Sequence, residues 1–181
     1  MKSLLVIALL AFGCSDSKKT ADAASDTAHS CAQYCTSIMS ACTGTNQQYD
    51  SMQTCTSTCE KFPLGMPGAM SDNSKECRFT HAGLAATAPS PHCLHAGPGG
   101  GGACGMNCEG FCSIVTATCP TQYPDMAGCM TTCAGFATTP DYNSMQTGGN
   151  TFACRLYHAT AATVNAALHC PHTQMTSATC Q

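Results

Sequence analysis

The sequence predicts a mainly α-helical protein of two tandem, small, disulfide-rich modules, each a stapled helical hairpin plus a third helix. Cysteine is unusually frequent, with 17 in a chain of 181 residues, and such a density indicates a disulfide framework in an exported protein. The cysteines follow the same order twice along the chain. Within each copy, pairs of cysteines lie four residues apart, a spacing that places both on one face of a helix.

Four motifs recur in the same order and define the two copies. They are CxxxC followed by a third cysteine, QYxxMxxCxxxC, CRxxHA and HCxH. The motifs begin at Cys31 and Cys108, at Gln48 and Gln122, at Cys77 and Cys154, and at His92 and His169. Each copy holds eight cysteines, which can close four bridges inside one module. We therefore assign residues 29–104 to module 1 and residues 105–181 to module 2, with the GPGGGG segment at 97–102 as a flexible link.

The predicted bridges follow from the predicted helices. Two CxxxC helices joined by a short loop form an antiparallel hairpin that two bridges can staple. The third helix is expected to begin at Asn73, which has capping-box spacing to Glu76, or at Asn150 in module 2, and to run to about Ala88 or Leu168. Its cysteine is expected to face the first helix, and the last two cysteines of module 1 to close the tail. The predicted pairs are Cys31–Cys59, Cys35–Cys55, Cys42–Cys77, Cys93–Cys104, Cys108–Cys133, Cys112–Cys129, Cys119–Cys154 and Cys170–Cys180.

The pairings outside the hairpins rest on weaker grounds, because eight cysteines allow about a hundred connectivities and spacing excludes few of them. The bridges themselves are expected to dominate the stability. A module of roughly 75 residues with few large side chains buries too little apolar surface to offset chain entropy comfortably. Each bridge typically contributes about 2–4 kcal/mol.

The N-terminus has the features of a secretory signal. A basic start precedes an apolar run from Leu4 to Phe12, which is too short for a membrane-spanning helix of roughly 20 residues. We interpret residues 1–13 as a signal peptide. Residues 14–28 are rich in Ser, Asp, Lys, Ala and Thr without apolar periodicity, and we interpret them as a flexible tether.

The segment Ala11-Phe12-Gly13-Cys14 resembles the lipobox of bacterial lipoproteins. That resemblance implies that Cys14 is lipidated, as by palmitate, and that Ser15 directs the protein to the outer membrane. Cysteine parity agrees, since removing Cys14 from the 17 cysteines leaves an even number. Ordinary signal peptidase cleavage after Gly13 is the alternative and would leave Cys14 as a free thiol. The repeat resembles Cys-rich modules of uncharacterised exported bacterial proteins, a resemblance that implies no activity.

Composition limits the partners. Charged residues make up 9% of the chain, the net charge is about −3 and tryptophan is absent, so neither a nucleic-acid-binding patch nor a polybasic membrane surface is expected. The expected partners are the membrane, through the N-terminal lipid, and an unidentified envelope or extracellular protein.

Histidine carries the main chemical signal. Six of the seven histidines occupy repeat-matched positions: His81, His92 and His95 in module 1, and His158, His169 and His172 in module 2. Three histidines at one end of a helix suggest a copper or zinc site, with Met52 and Met126 as possible soft ligands. Haem is a further possibility, although no CxxCH motif for covalent attachment occurs. The simpler interpretation is that the imidazoles cap helix ends and bind buried carbonyls around the bridges.

The two arginines, Arg78 and Arg155, hold the same place in the two copies. We expect each guanidinium to fork onto backbone carbonyls. No acidic residue is matched between the copies in a way that would complete a catalytic triad, so no catalytic residue is expected. The preferred function is therefore a non-catalytic, lipid-anchored cell-envelope protein displaying two binding or structural modules, with metal or haem binding as the alternative.

Overall fold

The fold is given by a computed structural model that describes residues 28–181. The predicted signal peptide, Cys14 and nearly all of the predicted tether lie outside these residues. The described chain is helical and contains no strand, which confirms the mainly α, disulfide-rich class. The helices are α1 Cys31–Ala41, α2 Met52–Cys59, α3 Lys75–Ala85, α4 Pro89–Ala96, α5 Asn107–Thr118, α6 Met126–Cys133, α7 Phe152–Ala162 and α8 Ala166–His169, with short 3-10 turns at Gly44–Asn46 and Cys170–Thr173. Across residues 28–181, no helix combines the length and apolar character that a membrane span requires.

The N-cap of the third helix lies one residue later than predicted in each module. Ser74 caps α3 by accepting a hydrogen bond from the Cys77 amide, and Thr151 caps α7 in the same way. A hydroxyl at this position satisfies one of the free N–H groups of the first turn. The side chains of Asn73 and Asn150 are thereby left free for contacts described below.

The third helix also ends earlier than expected, and a separate fourth helix follows it. Helix α3 ends at Ala85 and α7 at Ala162. In module 1, Pro89 occupies the first position of α4, and the ring of a proline disfavours the helical conformation of the preceding residue. In module 2, Asn165 caps α8 by accepting from the Leu168 amide. The HCxH motif therefore lies on its own element, α4 in module 1 and α8 with the following 3-10 turn in module 2.

The disulfides agree with the hairpin predictions and correct the remainder. The hairpin bridges Cys31–Cys59, Cys35–Cys55, Cys108–Cys133 and Cys112–Cys129 are present as expected. The predicted pairs Cys42–Cys77, Cys93–Cys104, Cys119–Cys154 and Cys170–Cys180 are wrong. The bridges are Cys42–Cys93, Cys77–Cys104, Cys119–Cys170 and Cys154–Cys180. The reason is the fourth element, which folds back and brings its cysteine to the end of the first helix, leaving the third-helix cysteine for the tail.

Each module has its own small core built on aromatic side chains. In module 1, the hydroxyl of Tyr34 donates to the carbonyl of Ala96 at 2.6 Å and lies 3.0 Å from the hydroxyl of Tyr49. In module 2, Phe111 packs edge-on against Tyr123, whose hydroxyl donates to the Thr173 carbonyl at 2.7 Å. These buried hydroxyls tie the first part of each module to the segment around its HCxH motif.

The two modules pack directly against each other, so the interpretation of residues 97–102 as a flexible link is wrong. Residues 97–100 are buried. Phe62 of module 1 joins the core of module 2. The Tyr142 hydroxyl donates to the Gln48 carbonyl at 3.1 Å, and the Ser144 amide donates to the Gln47 carbonyl at 2.8 Å. Glycine is needed at positions 97 and 100 because a Cβ would lie 1.9 Å from the Gln48 side chain and 2.0 Å from the Cys104 carbonyl oxygen, respectively.

Gly110 on α5 offers a test of this packing. A Cβ there would lie 2.3 Å from the Pro98 carbonyl oxygen and 3.0 Å from that of Gly99, so backbone would have to move. We expect Gly110→Ala to destabilise the protein by about 1–3 kcal/mol in chemical unfolding. Gly83→Ala on α3 is the matched control, since nothing lies within 4 Å of its Cβ and alanine favours a helix by about 0.5–1 kcal/mol. Equal effects of the two changes would argue against a close packing of the modules.

Candidate metal centres

Each module brings its three repeat-matched histidines together at one place. In module 1, His81 on α3 faces His92 and His95 on α4. In module 2, His158 on α7 meets the other two histidines; the full sets are His81, His92 and His95 (centre 1), and His158, His169 and His172 (centre 2). In both centres, one ring nitrogen from each histidine lies within 4.8 Å of the others. All six histidines selected from the repeat therefore belong to one of two equivalent clusters.

In centre 1, the ring of His81 connects the other groups. Its Nδ1 lies 2.9 Å from the Nδ1 of His92, and its Nε2 lies 3.2 Å from the carbonyl oxygen of Met70. A carbonyl only accepts hydrogen bonds, so Nε2 carries the proton and the neutral ring presents its lone pair at Nδ1. The Nδ1 of His95 is buried without a hydrogen-bond partner among the described residues. One polar atom of this cluster therefore lacks the partner that burial demands.

Centre 2 repeats the arrangement. The Nε2 of His158 lies 3.3 Å from the Thr147 carbonyl oxygen, which again leaves the lone pair at Nδ1. That Nδ1 lies 2.9 Å from the Nδ1 of His169 and 3.3 Å from the Nδ1 of His172. A single lone pair accepts one well-aligned N–H, yet two nitrogens approach it. Hydrogen bonds among the three rings therefore do not satisfy all three nitrogens.

The nitrogens of each centre lie close enough together to share one cation. Imidazole nitrogens bound to zinc at about 2.0–2.1 Å in a tetrahedral arrangement are about 3.3 Å apart. The shortest contacts of the two centres are 2.9 Å, and a third contact in centre 2 is 3.3 Å. The outer contact from Nε2 to a backbone carbonyl is the support that metal-bound histidines usually have, because it fixes the tautomer and the ring orientation.

The electrostatics keep three of the imidazoles in the neutral form that binds metals. Burial lowers the pKa of His158 to about 4, although its hydrogen bond with the Thr147 carbonyl acts in the opposite direction. Burial also lowers the pKa values of His95 and His169, and repulsion from neighbouring histidines is the second cause in both. The charge of Asp50, contributed by module 1, partly opposes this lowering of the pKa at His169. These rings are therefore neutral at neutral pH and present free lone pairs.

A buried arginine holds the HCxH element of module 1 against the third helix. The Nε of Arg78 donates to the Gly97 carbonyl at 3.2 Å, and its Nη2 donates to the Pro98 carbonyl at 3.4 Å and to the Asn73 side chain at 2.9 Å. Its Nη1 donates to the Ser74 carbonyl at 3.1 Å. The expectation that this guanidinium forks onto backbone carbonyls is confirmed. The contact ties the end of α4 to the start of α3 and so sets the distance between His81 and its partners.

Arg155 does the same in module 2. It is fully buried and donates to the segment after the HCxH motif and to the start of α7, with acceptors on Gln174, Thr151, Asn150, Met175 and Cys180. Asn150 and Asn73, whose spacing suggested helix caps, instead accept from these arginines. The sequence did not reveal this role, because the residue that caps the helix and the asparagine that accepts from the arginine are neighbours, and both are polar.

A disulfide aims the two histidines of each HCxH motif. Cys93 stands between His92 and His95 and is bonded to Cys42 at the end of α1. Cys170 stands between its two histidines and is bonded to Cys119. The motif thus has a fixed support on one side and the third-helix histidine on the other, so both centres are built on rigid elements.

The two methionines considered as ligands and the seventh histidine lie away from both centres. Met52 and Met126, considered as soft ligands, begin α2 and α6 and are each 46% exposed, on elements that carry none of the six histidines. The seventh histidine, His29, forms a separate contact in which its Nδ1 lies 2.7 Å from a carboxylate oxygen of the buried Glu76, and its ring stacks on Phe79. This contact fastens the segment before α1 to α3 and was not foreseen from the sequence.

Comparisons with known proteins find fungal and viral proteins that are similar to part of the chain. It is 39% identical over 64 residues to the aurasperone B biosynthesis cluster protein A of Aspergillus niger, covering 35% of this chain and 21% of that protein. It is similarly 39% identical over 64 residues to the bifonsecin B biosynthesis cluster protein A of Aspergillus brasiliensis, covering 35% of this chain and 22% of that protein. It is 33% identical over 100 residues to a putative EGF-like domain-containing protein of Acanthamoeba polyphaga mimivirus, covering 50% of this chain and 17% of that protein. The matched segments thus span about a fifth of these relatives, and no solved structure matches the chain.

The resemblances to bacterial lipoproteins and to Cys-rich modules of exported bacterial proteins are both wrong. The relatives come from Aspergillus fungi and from a virus, so the lipidation of Cys14, the palmitate anchor and sorting to an outer membrane lose the ground on which they were inferred. The lipobox comprises only a few residues and is easily matched by an unrelated sequence. In the described residues all 16 cysteines are paired within their own modules, and that parity says nothing about lipid.

A family match extends over a larger part of the chain than these pairwise matches. The model of the BfoA family C-terminal domain matches residues 5–107, more than half of the sequence. This range contains module 1 with its complete centre of three histidines. The chain therefore belongs to the BfoA C-terminal domain family.

Proposed function

We propose that this protein binds metal ions, one at each centre of three histidines, and that zinc or copper(II) is the ion bound. The observation that carries the proposal is the convergence of three imidazoles in both modules, with the same third-helix ring held by a backbone carbonyl. Two modules that differ in most other positions retain this arrangement. Imidazole nitrogen is a common ligand of zinc and copper.

The alternative of haem binding is less well supported by the geometry. Two imidazoles that ligate one haem iron lie on opposite faces of the porphyrin. In both centres the Nδ1 atoms of two histidines are 2.9 Å apart, a contact that leaves no room for a macrocycle between them. A single ion fits where a porphyrin does not.

We further propose that the protein works outside the reducing cytosol. Eight bridges in the described residues require an oxidising compartment to form and persist. The modules would then serve as rigid carriers of the two ions. A protein partner outside the cell and the lack of catalysis both stay predictions.

The proposal is tested by the metal content of the oxidised full-length chain. After loading with zinc and removal of free metal, we expect two zinc ions per chain by elemental analysis. His81→Ala should remove one ion and His158→Ala the other, because each change deletes the ring that contacts the remaining nitrogens. The double variant should retain none.

His29→Gln is the matched control, since His29 is a histidine outside both centres, and it should keep both ions. Far-UV circular dichroism separates loss of a ligand from loss of the fold, and each single variant should retain the ion of its unchanged module. If the wild-type chain takes up neither zinc nor copper at any loading, the proposal fails and the histidines are purely structural.

A further inference from the structure

We infer that a metal ion at either centre keeps one open coordination position, at which it binds water or a small anion from solution. This inference rests on the proposed function and concerns what the bound ion does next. It is carried by the number, the kind and the exposure of the donors around each centre.

Three donors are available where the metal takes four. Zinc and similar ions in proteins usually have four ligands, and sites with only three protein ligands bind water or substrate in the fourth position. In residues 28–181, no carboxylate joins either group of three histidines. Asp50 influences His169 through its charge, but its oxygens are not among the clustered donor atoms.

The nearest sulfur atoms do not supply the fourth ligand. The sulfurs of Cys77 and Cys104 lie close enough to His81 to form a group with it, as do those of Cys154 and Cys180 with His158. Each pair is joined in a disulfide. Thiolate is the form of cysteine that binds metal, and a disulfide has none to offer.

Each centre combines one buried histidine with two that are partly exposed. His81 and His158 are buried, with 3% and 5% exposure, and their carbonyl contacts close the inner side. The other histidines of both centres are only half-buried. We place the approach of a ligand of the size of water or azide at these partly exposed rings. The ligands that fit are small monodentate anions and neutral oxygen donors.

The inference is tested with the cobalt(II)-loaded, oxidised full-length chain, because the visible d–d bands of cobalt report changes in its ligands. We expect azide to shift these bands and change their intensity in a saturable way, with two azide ions bound per chain. His92→Ala, which disrupts centre 1 alone, should reduce the amplitude by half, while His29→Gln should leave it unchanged.

The possible results distinguish failure of this inference from failure of the proposed metal binding. If the chain retains two cobalt ions and azide leaves the bands unchanged, the fourth position is filled by the protein and this inference alone is overturned. If cobalt, zinc and copper are all not retained, the proposed function fails and this inference fails with it. Cobalt analysis after the titration shows whether azide has bound to the ion or removed it.

Discussion

Reduction of the bridges by a dithiol, in the presence of a chelator, is expected to unfold both modules at neutral pH. Cysteines form a substantial part of both cores, and the core of module 1 contains few other large side chains. Each bridge contributes about 2–4 kcal/mol, so the four of one module exceed the few kcal/mol that a core of this size supplies. The measurement is far-UV circular dichroism before and after reduction, with loss of the helical signal as the expected result.

Removing one bridge at a time compares the contributions of a long-loop and a short-loop bridge within the same module. The Cys119–Cys170 bridge spans 51 residues and the Cys112–Cys129 bridge of the same module spans 17. From chain entropy, the first should contribute about 4 kcal/mol and the second about 3 kcal/mol. Chemical unfolding of the two double-alanine variants should show this order. Native circular dichroism in the fully reduced chain would contradict the dependence on bridges altogether.

Replacement of Arg78 by methionine is expected to lower the free energy of unfolding by about 2–4 kcal/mol, because its neutral acceptors lose their donor. The side chain is fully buried, and its guanidinium donates to three carbonyls and one side-chain amide oxygen. Methionine fills a similar volume and offers no donor, so these acceptors would remain buried and unpaired, at about 1–3 kcal/mol each before relaxation. The guanidinium also lies 3.7 Å from the centre of the Phe62 ring, a cation–π contact that is lost as well.

The same variant tests the connection between the arginine and centre 1. Without Arg78 the end of α4 is no longer tied to α3, so the metal affinity of centre 1 should fall while centre 2 keeps its ion. Arg155→Met should have the reverse effect. Arg78→Lys is the intermediate control, because an ammonium group carries the charge but does not reach several acceptors in the geometry of a guanidinium. An unchanged unfolding midpoint in Arg78→Met would show that the carbonyls find other partners.

Much of the candidate site could be predicted because the chain contains the module twice. Comparing the copies selects the histidines of both centres and the arginines that hold them, since residues kept at matched positions in two diverging copies stand out from the rest. What they do was harder to predict. Asn73 is a plausible cap by spacing, yet Ser74 caps the helix and Asn73 accepts from Arg78. Local propensity cannot say which of two neighbouring polar residues caps a helix when a tertiary contact, here with Arg78, determines the choice.

The cysteine pairs outside the hairpins could not be predicted correctly from the sequence. The alanine-rich stretch predicts a third helix that runs to about Ala88 in module 1 and to Leu168 in module 2, and no separate fourth helix is predicted for either HCxH motif. Once α4 is a separate helix that folds back on α1, Cys93 reaches Cys42 and leaves Cys77 for Cys104. The sequence likewise predicts a flexible link at residues 97–102, whereas residues 97–100 are in fact buried, and the carbonyls of Gly97 and Pro98 accept hydrogen bonds from Arg78.

By itself, the sequence determined the two modules, the helical class, the hairpin bridges and the identity of the residues at both centres. These features depend on spacing along one helix and on repetition, which are local properties of the chain. Only the tertiary structure decided the long-range bridges, the packing of the modules, and the convergence of each trio of histidines around one point. Those depend on how helices from distant parts of the sequence cross, which is set by the shared packing of buried arginine, tyrosine and cystine side chains and not by any one segment.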